Sequence, residues 1–316
     1  MARPTLAIHG GAGTILRSQM TPALEREYRN GLEAALAAGW AILEHGGKSI
    51  DAVEASVASL EDYPLFNAGR GAVFTHDGKQ EMDASIMDGR KLRAGAVAAV
   101  TNIKHPIKLA RLVMERTDHI FLAGEGANEF ARQMHVEIES DEYFFTEHRW
   151  RQLREAIARG DVKLDHSVPG RQLAVSKPIG TVGAVACDRH GHLAAATSTG
   201  GMTNKKYGRV GDTPLIGAGN YADDICAVSG TGHGEFFMLG LSAFDVSARM
   251  RYAGLPLADA VRETIERLTT IGGEGGLIAV NSKGEFAMLF NSEGMYRGYI
   301  TSDEPMVTAI YSDEGK

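Results

Sequence analysis

Cysteine is scarce in this sequence, and long apolar runs are missing from it. Of 316 residues only Cys187 and Cys226 are cysteines, and two cysteines cannot form the disulfide framework that is typical of small secreted domains. No apolar stretch approaches the roughly 20 residues of a membrane-spanning helix, and the apolar stretch near the N-terminus is too short for a secretory signal. We therefore expect a cytoplasmic protein without a membrane segment.

Positive charge is also in deficit. The chain has 33 lysines and arginines against 40 aspartates and glutamates, a formal net charge of −7. No block of five or six basic residues occurs, so the basic surface that nucleic-acid binding requires is not expected. The composition favours a small-molecule substrate, held by local positive groups if it is anionic.

Several common catalytic motifs are absent as well. The string His9-Gly10-Gly11-Ala12-Gly13 is like the oxyanion loop of lipases, but the Gly-x-Ser-x-Gly elbow of an α/β-hydrolase is missing. The Gly230-x-Gly232-x-Gly234 run has neither the lysine of a P-loop nor the spacing of a dinucleotide site. No His-Glu-x-x-His pattern is present, which argues against a catalytic metal.

Apolar periodicity predicts helices and short strands in both halves of the chain. Helices are expected over 22–45, from Ser49 as N-cap, and over 106–116, 127–134, 147–158, 235–251 and 256–270. Strands are expected over 5–9, 72–75, 81–87, 95–101, 182–187, 192–197, 215–218, 226–228, 277–280, 286–290 and 296–300. This pattern predicts an α+β protein with two antiparallel sheets between helical layers.

The segment from 160 to 180 has no periodicity and precedes Gly180-Thr181. A structureless connection of about 20 residues is usually a functional segment or a linker. Cleavage of the Gly180–Thr181 bond would give Thr181 a free α-amine beside its own hydroxyl, and an amine with a pKa of about 7.7–8.0 can act as a base near neutral pH. The pattern predicts a mobile linker that is cut to create a threonine nucleophile.

Two later segments supply the groups that such a nucleophile needs. Arg209 and Asp212 are three positions apart and could hold the α-carboxylate and α-ammonium of an amino acid. The alternative is an ordinary surface ion pair. The run from Ser229 to Glu235 leads into a predicted helix and could provide an oxyanion hole, or merely cap that helix.

Glycine-rich and hydroxyl-rich strings are spread over nearly the whole chain. They are His9-Gly10-Gly11-Ala12-Gly13, Phe66-Asn67-Ala68-Gly69-Arg70-Gly71, Met82-Asp83-Ala84, Gly180-Thr181-Val182-Gly183-Ala184-Val185, Ala195-Ala196-Thr197-Ser198-Thr199-Gly200-Gly201, Gly208-Arg209-Val210-Gly211-Asp212, Gly217-Ala218-Gly219, Thr231-Gly232-His233-Gly234-Glu235 and Gly272-Gly273-Glu274-Gly275-Gly276. In this order the strings resemble the plant-type (class 2) L-asparaginases and isoaspartyl peptidases of the N-terminal nucleophile (Ntn) hydrolase superfamily.

The resemblance implies a four-layer αββα sandwich and hydrolysis of L-asparagine and isoaspartyl dipeptides through a covalent β-aspartyl ester. It implies self-cleavage into an α subunit, 1–180, and a β subunit, 181–316, which together form one structural domain. Two such αβ pairs would assemble into an (αβ)2 heterotetramer. No cofactor is expected for catalysis.

The resemblance also assigns roles to single residues. The resemblance implies that Thr181 is the nucleophile with Thr199 as its hydrogen-bond partner, and that Thr231 and Gly232 form the oxyanion hole. The residues that it implies for substrate binding are Arg209, Asp212, Gly232, Gly234 and Asn67. It also implies a structural sodium ion, bound by the backbone carbonyls of Leu60, Glu61, Tyr63, Phe66, Ala68 and Arg70. His233 is a residue that could tune the pocket.

Three other readings remain open within the superfamily. A glycosylasparaginase-like amidase is disfavoured by the lack of a secretory signal, and a threonine endopeptidase by the complete Arg209/Asp212 pair. A non-processing, inactive relative would keep the fold and lack the free amine. Only maturation of the chain distinguishes that relative from an enzyme.

Overall fold

Two β-sheets form the centre of the molecule, which is described by a computed structural model over residues 2–160 and 180–314. The strands are β1 (Thr5–Gly13), β2 (Met82–Asp88), β3 (Arg93–Val100), β4 (Phe121–Ala123), β5 (Val182–Cys187), β6 (Leu193–Thr199), β7 (Asn220–Ala222), β8 (Cys226–Gly232), β9 (Gly275–Asn281), β10 (Phe286–Phe290), β11 (Gly294–Thr301) and β12 (Val307–Ala309). The larger sheet has the order β12-β11-β1-β5-β6-β2-β3-β4, and the smaller has the order β10-β9-β8-β7.

Helices flank the sheets. They are α1 (Pro22–Glu44), α2 (Ser49–Asp62), α3 (Pro106–Arg116), α4 (Gly124–Gln133), α5 (Asp141–Phe144), α6 (Glu147–Ala158), α7 (Gly234–Gly240), α8 (Ser242–Ala253) and α9 (Leu257–Thr270). The long helix α1 begins where the Thr21 hydroxyl accepts a hydrogen bond from Leu24 N and Pro22 occupies the first turn, as expected of a well-capped N-terminus.

Alternating side chains on the strands separate three apolar layers. On β5, Val182, Ala184 and Ala186 pack with residues of α1 and α2, whereas Val185 and Cys187 face the smaller sheet. On β8, Val228 packs toward α8 and α9. Because successive strand residues point to opposite faces, each central strand contributes to two layers, and the arrangement is compatible with a layered sandwich.

The sequence predictions for several elements are confirmed. The structure has helices at 106–116 and 147–158 and strands at 182–187 and 286–290, as predicted. The prediction of an α+β protein with two sheets is confirmed as well. The predicted linker lies almost entirely outside the described residues.

Other predictions are wrong in detail. The larger sheet is not purely antiparallel, because β3 and β4 pair in parallel. Residues 72–75 and 215–218 are not strands; Val73 N, for example, donates to the Asn67 side chain instead of to a strand. The helix predicted over 235–251 is divided at Leu241, whose φ of 45° is left-handed. Helix α2 begins at Ser49, with Lys48 as N-cap.

Candidate active site

The start of β5 and the ends of β6 and β8 bring three buried threonines together. The Thr181 hydroxyl donates to the Thr199 hydroxyl over 3.1 Å, and Thr181 N lies 3.4 Å from the Thr231 hydroxyl oxygen. Thr181 is only 6% exposed and Thr231 is fully buried. The predicted nucleophile therefore lies between the two other predicted threonines.

The Thr231 hydroxyl is positioned by main-chain donors. Its oxygen accepts from Thr181 N and, over 3.2 Å, from Ala12 N in the glycine-rich end of β1. A hydroxyl has two lone pairs and one hydrogen, so these contacts orient its O–H to donate. Such a donor beside a nucleophile is what an oxyanion hole requires.

A salt bridge orients Arg209. Its Nε and Nη2 donate to the Glu235 carboxylate over 2.9 and 3.0 Å in a bidentate contact. A Cβ at Gly201 would lie 3.5 Å from Nη1, so that end of the guanidinium is directed toward Gly201. Gly201 N in turn donates to the Thr199 hydroxyl over 3.0 Å, which puts the cation beside the threonine cluster.

Asp212 is the anionic counterpart of Arg209. It is 4% exposed, and its Oδ2 has no hydrogen-bond partner among the described residues. Burial raises the pKa of Asp212 to about 7, although the nearby Arg209 cation opposes the rise. A buried carboxylate with an unpaired oxygen is suited to accept an ammonium group.

Gly234 lies between the two charged residues of this pair. A Cβ at this position would lie 2.7 Å from Asp212 Oδ1 and 2.9 Å from Arg209 Nη2. Gly234 is the first residue of α7, and Glu235 follows it. The missing side chain thus leaves the space between the cation and the anion open.

Asn67 packs against Gly180, the residue before Thr181. Asn67 Nδ2 donates to Gly201 O over 2.8 Å and its Oδ1 accepts from Val73 N. A Cβ at Gly180 would lie 3.3 Å from the Asn67 Cβ. Asn67 therefore lies beside the predicted scissile bond and holds the turn after Thr199.

Gly232 and His233 connect β8 to α7. Gly232 has a φ of 149°, and a Cβ there would overlap Glu274 O. His233 N donates to Glu274 O over 2.9 Å, and the His233 ring packs near Phe236. The pair is therefore held against the start of β9.

The loop that follows α2 contains the predicted sodium ligands. Backbone carbonyls converge around Gly69 and Gly71: a Cβ at Gly71 would lie 2.7 Å from Pro64 O, and one at Gly69 would overlap Glu61 O. The buried Glu61 side chain accepts from Ser198 Oγ over 2.6 Å and from Ile107 N over 3.0 Å. Over residues 2–160 and 180–314, no group of three His, Cys, Asp or Glu side chains is placed to hold a metal.

Sequence reasoning missed two contacts in this site. The Glu235 carboxylate binds Arg209, and the His9 ring contacts both Thr181 O and Ser229 Oγ. Glu235 and His9 both belong to the strings quoted above, so the sequence did indicate these two positions. Their hydrogen-bond partners are distant in sequence and could not be identified from spacing.

Comparisons with known proteins agree over the whole chain. The asparaginase family model matches residues 2–310. The isoaspartyl peptidase of Salmonella typhimurium is 50% identical over 99% of this chain and 100% of its own length, and that of Escherichia coli is 49% identical over 100% and 98%. The isoaspartyl peptidase/L-asparaginase of Xenopus laevis is 42% identical over 99% and 96%. Among the described residues, no helix has the length and apolar character needed to cross a membrane.

Proposed function

Since the chain belongs to the asparaginase family, we propose that it is a threonine amidohydrolase that hydrolyses L-asparagine and isoaspartyl dipeptides. The observation that carries this proposal is the placement of Thr181 within hydrogen-bond distance of Thr199 and beside Thr231. Arg209 approaches Gly201, whose N donates to Thr199. The names of relatives that are 42–50% identical over nearly the full chain support the same substrates.

Self-cleavage comes first in this proposal. In the uncut chain the nitrogen of Thr181 is a peptide amide and cannot accept a proton. Hydrolysis of the Gly180–Thr181 bond gives a carboxylate on Gly180 and an α-amine on Thr181. That amine, with a reference pKa of about 7.7–8.0, then serves as the general base for the adjacent hydroxyl.

The substrate is recognised by its charged end. Arg209 binds the α-carboxylate, and Asp212 binds the α-ammonium next to Gly234. L-asparagine and an isoaspartyl dipeptide share this end and differ only in the group that leaves the β-carbonyl. A single pair of charged residues therefore serves both substrates.

The reaction proceeds through an ester. The Thr181 oxygen attacks the β-carbonyl carbon while its proton passes to the α-amine, and the Thr231 hydroxyl, with Gly232, stabilises the negative oxygen that forms. The C–N bond then breaks and the proton leaves with ammonia or the peptide amine. Water attacks the β-aspartyl ester in the same way and releases aspartate.

The finer structural assignments follow from family membership. We propose the four-layer αββα arrangement of Ntn hydrolases, with residues 1–180 and 181–316 in one domain and two cleaved chains in an (αβ)2 assembly. The two cysteines are buried free thiols, which supports a reducing, cytoplasmic location.

The loop from Leu60 to Arg70 fits a structural sodium ion. The carbonyl oxygen of Glu61 lies where a side chain on Gly69 would be, and those of Pro64 and Phe66 lie where a side chain on Gly71 would be. Carbonyl oxygens suit a hard cation. A bound ion would stabilise the loop without taking part in the chemistry. We expect a higher melting temperature in sodium chloride than in choline chloride, and activity that survives EDTA.

The decisive test is maturation of wild type and Thr181→Ala. Intact mass after incubation at neutral pH should show fragments 1–180 and 181–316 for wild type and one uncut chain for Thr181→Ala. Release of ammonia from L-asparagine should be lost in the same variant. Thr270→Ala, an exposed threonine on α9, is the matched control and should cleave and turn over like wild type.

Two outcomes would contradict the proposal. Amidase activity in Thr181→Ala would exclude Thr181 as nucleophile, and an uncut wild-type chain would identify a non-processing relative. Faster hydrolysis of glycosylated asparagine than of asparagine or isoaspartyl dipeptides would favour a glycosylasparaginase-like amidase instead.

A further inference from the structure

His9 is a fully buried histidine that bridges the two sheets at the active site. Its Nδ1 lies 2.9 Å from Thr181 O, and its Nε2 lies 2.8 Å from Ser229 Oγ. Thr181 precedes β5 of the larger sheet, whereas Ser229 is on β8 of the smaller sheet, two residues before Thr231. One imidazole ring thus connects the backbone of the nucleophile to the strand that carries the oxyanion donor.

The hydrogen-bond partners determine the tautomer of this ring. A carbonyl oxygen only accepts, so Nδ1 carries the hydrogen that is shared with Thr181 O. Burial lowers the pKa of His9 to about 3, so the ring is neutral and its Nε2 accepts. The Ser229 hydroxyl must then donate to Nε2. The Thr197 hydrogen is therefore directed to Ser229 Oγ at 2.8 Å in preference to Gly219 O at 3.3 Å, since a hydroxyl has only one hydrogen.

Gly183 supplies the space for this arrangement. It pairs with His9 across β1 and β5. A Cβ on Gly183 would overlap both Ser229 Oγ and His9 Nε2. The contacts of His9 with Thr181 and Ser229 therefore require a glycine at position 183. The sequence motif alone gave no reason for this second glycine of the Gly180-Thr181-Val182-Gly183 string.

We infer that His9 is a positioning residue that fixes the main chain of Thr181 relative to Thr231 through this inter-sheet bridge. The bonded atom is the carbonyl of Thr181, on the side away from the Gly180–Thr181 bond, so the contact persists through cleavage. The inference rests on the proposed function, and it adds a residue that touches neither the substrate nor the reacting atoms.

The bridge has a specific kinetic consequence. Alignment of a nucleophile with its oxyanion donor governs the chemical step, and a displacement of about 1 Å can reduce the rate roughly 100-fold. Within the described part of the chain, the His9 ring bonds to Thr181 and Ser229 and makes no hydrogen bond to the Arg209/Asp212 pair that is proposed to bind substrate. Loss of the bridge should therefore lower kcat and the rate of self-cleavage while KM stays near its wild-type value.

Asparagine and leucine provide a matched pair of replacements for His9. They have nearly the same shape, but the asparagine amide can donate to Thr181 O as Nδ1 does, whereas leucine cannot. We expect His9→Leu to lose roughly 100-fold in kcat and His9→Asn to recover most of that loss, with KM unchanged in both. His45→Leu, at an exposed histidine, is the control and should match wild type.

Other results would overturn the inference. Equal kcat in His9→Leu and His9→Asn, or a change confined to KM, contradicts the bridge if wild type is active; an inactive wild type would contradict the proposed function instead. Should His9→Leu fail to fold, Ser229→Ala, which removes the donor to Nε2, should still lower kcat roughly tenfold.

A spectroscopic readout tests the bridge independently of activity. In ¹⁵N spectra of Thr181→Ala protein, His9 should be neutral with hydrogen on Nδ1 down to pH 5, and this state should be perturbed in Ser229→Ala. A ring protonated on Nε2, or one that is already cationic at pH 5, would exclude the proposed hydrogen-bond chain.

Discussion

At the scale of single residues, Asp212 has the most consequential environment. Burial raises its pKa to about 7 against the attraction of Arg209, and Glu235 adds negative charge nearby. Its protonated and anionic forms are therefore both populated near neutral pH. In the proposed role of Asp212, only the anion can pair with the α-ammonium of a substrate, so protonation of this carboxylate should compete with binding.

We expect binding of the product L-aspartate to weaken as pH falls below about 7. Since the raised pKa means that Asp212 takes up a proton in this range, the inhibition constant should rise roughly tenfold for each pH unit well below the pKa. The inhibition constant is measured from competitive inhibition by L-aspartate between pH 5 and 8.

Succinate is the control ligand for this prediction, because it has the two carboxylates of aspartate and lacks the ammonium. Its inhibition should not weaken below pH 7. An L-aspartate inhibition constant that is flat from pH 5 to 8 would contradict the role of Asp212.

The roles of single residues could be predicted from the sequence where the residues are close together in the chain or belong to a string that resembles the family. Arg209 and Asp212 lie three positions apart, and the threonines lie in recognisable strings. The bonds of Arg209 to Glu235 and of His9 to Ser229 join residues 26 and 220 positions apart. Such pairs depend on how distant segments of the chain pack together, which short-range spacing does not determine.

At the scale of elements, α6 supports the loop from Leu60 to Arg70. Arg149 on this helix is 4% exposed. Its Nε donates to Gly71 O over 2.8 Å and its Nη2 to Leu65 O over 3.1 Å. The guanidinium therefore satisfies two loop carbonyls close to Asn67, and burial of the group lowers its pKa.

Replacing this guanidinium should destabilise the fold. Arg149→Met keeps the aliphatic stem but leaves the two carbonyls without a charged donor, so we expect the free energy of unfolding to fall by about 3 kcal/mol. Urea denaturation of the uncut Thr181→Ala protein measures the change in a single chain.

Arg154 on the same helix is exposed and is the matched control for Arg149. Arg154→Met should change the free energy of unfolding by less than about 0.5 kcal/mol. Equal effects at the two positions would show that the loop does not depend on α6.

Elements with strong periodicity were predicted best. Helix α3 has Pro106 in its first turn and α6 has Thr146 as its N-cap, and both have apolar patterns long enough to identify their ends. The wrong predictions have local causes. Residues 72–75 are an apolar run, but Val73 N donates to the Asn67 side chain instead of to a neighbouring strand. The left-handed Leu241 divides one periodic segment into α7 and α8. β4 and β12 have three residues each, too few for a period-two pattern to be recognised.

At the scale of the whole molecule, strands that precede the Gly180–Thr181 bond and strands that follow it are interleaved within the larger sheet. β1 lies between β11 and β5, and β2 lies between β6 and β3. Residues before the bond thus pair with residues after it along several strands. The layered arrangement was predictable from the mixture of strand and helix patterns, but this strand order was not.

Cleavage should leave the fragments together. The shared hydrogen-bonded strands, β1 with β5 and β2 with β6, hold them after the peptide bond is cut. We expect native mass spectrometry to show both fragments in one particle of about twice 33.9 kDa, the (αβ)2 assembly, and denaturing conditions to separate them.

The uncut Thr181→Ala protein is the control, since it should give the same native particle and a single chain in denaturant. A wild-type particle that contains only one kind of fragment would contradict the interleaved sheet.

The interleaved strand order also affects folding kinetics, because after the proposed cleavage the unfolded protein no longer refolds as a single chain. The uncut precursor brings β1 beside β5 within one polymer, so its folding is first order and independent of concentration. Once cleaved and unfolded, the two fragments must find each other by diffusion before β1 can pair with β5 and β11, so renaturation becomes second order. On the proposed maturation, the fold therefore forms at low concentration only while the chain is still continuous.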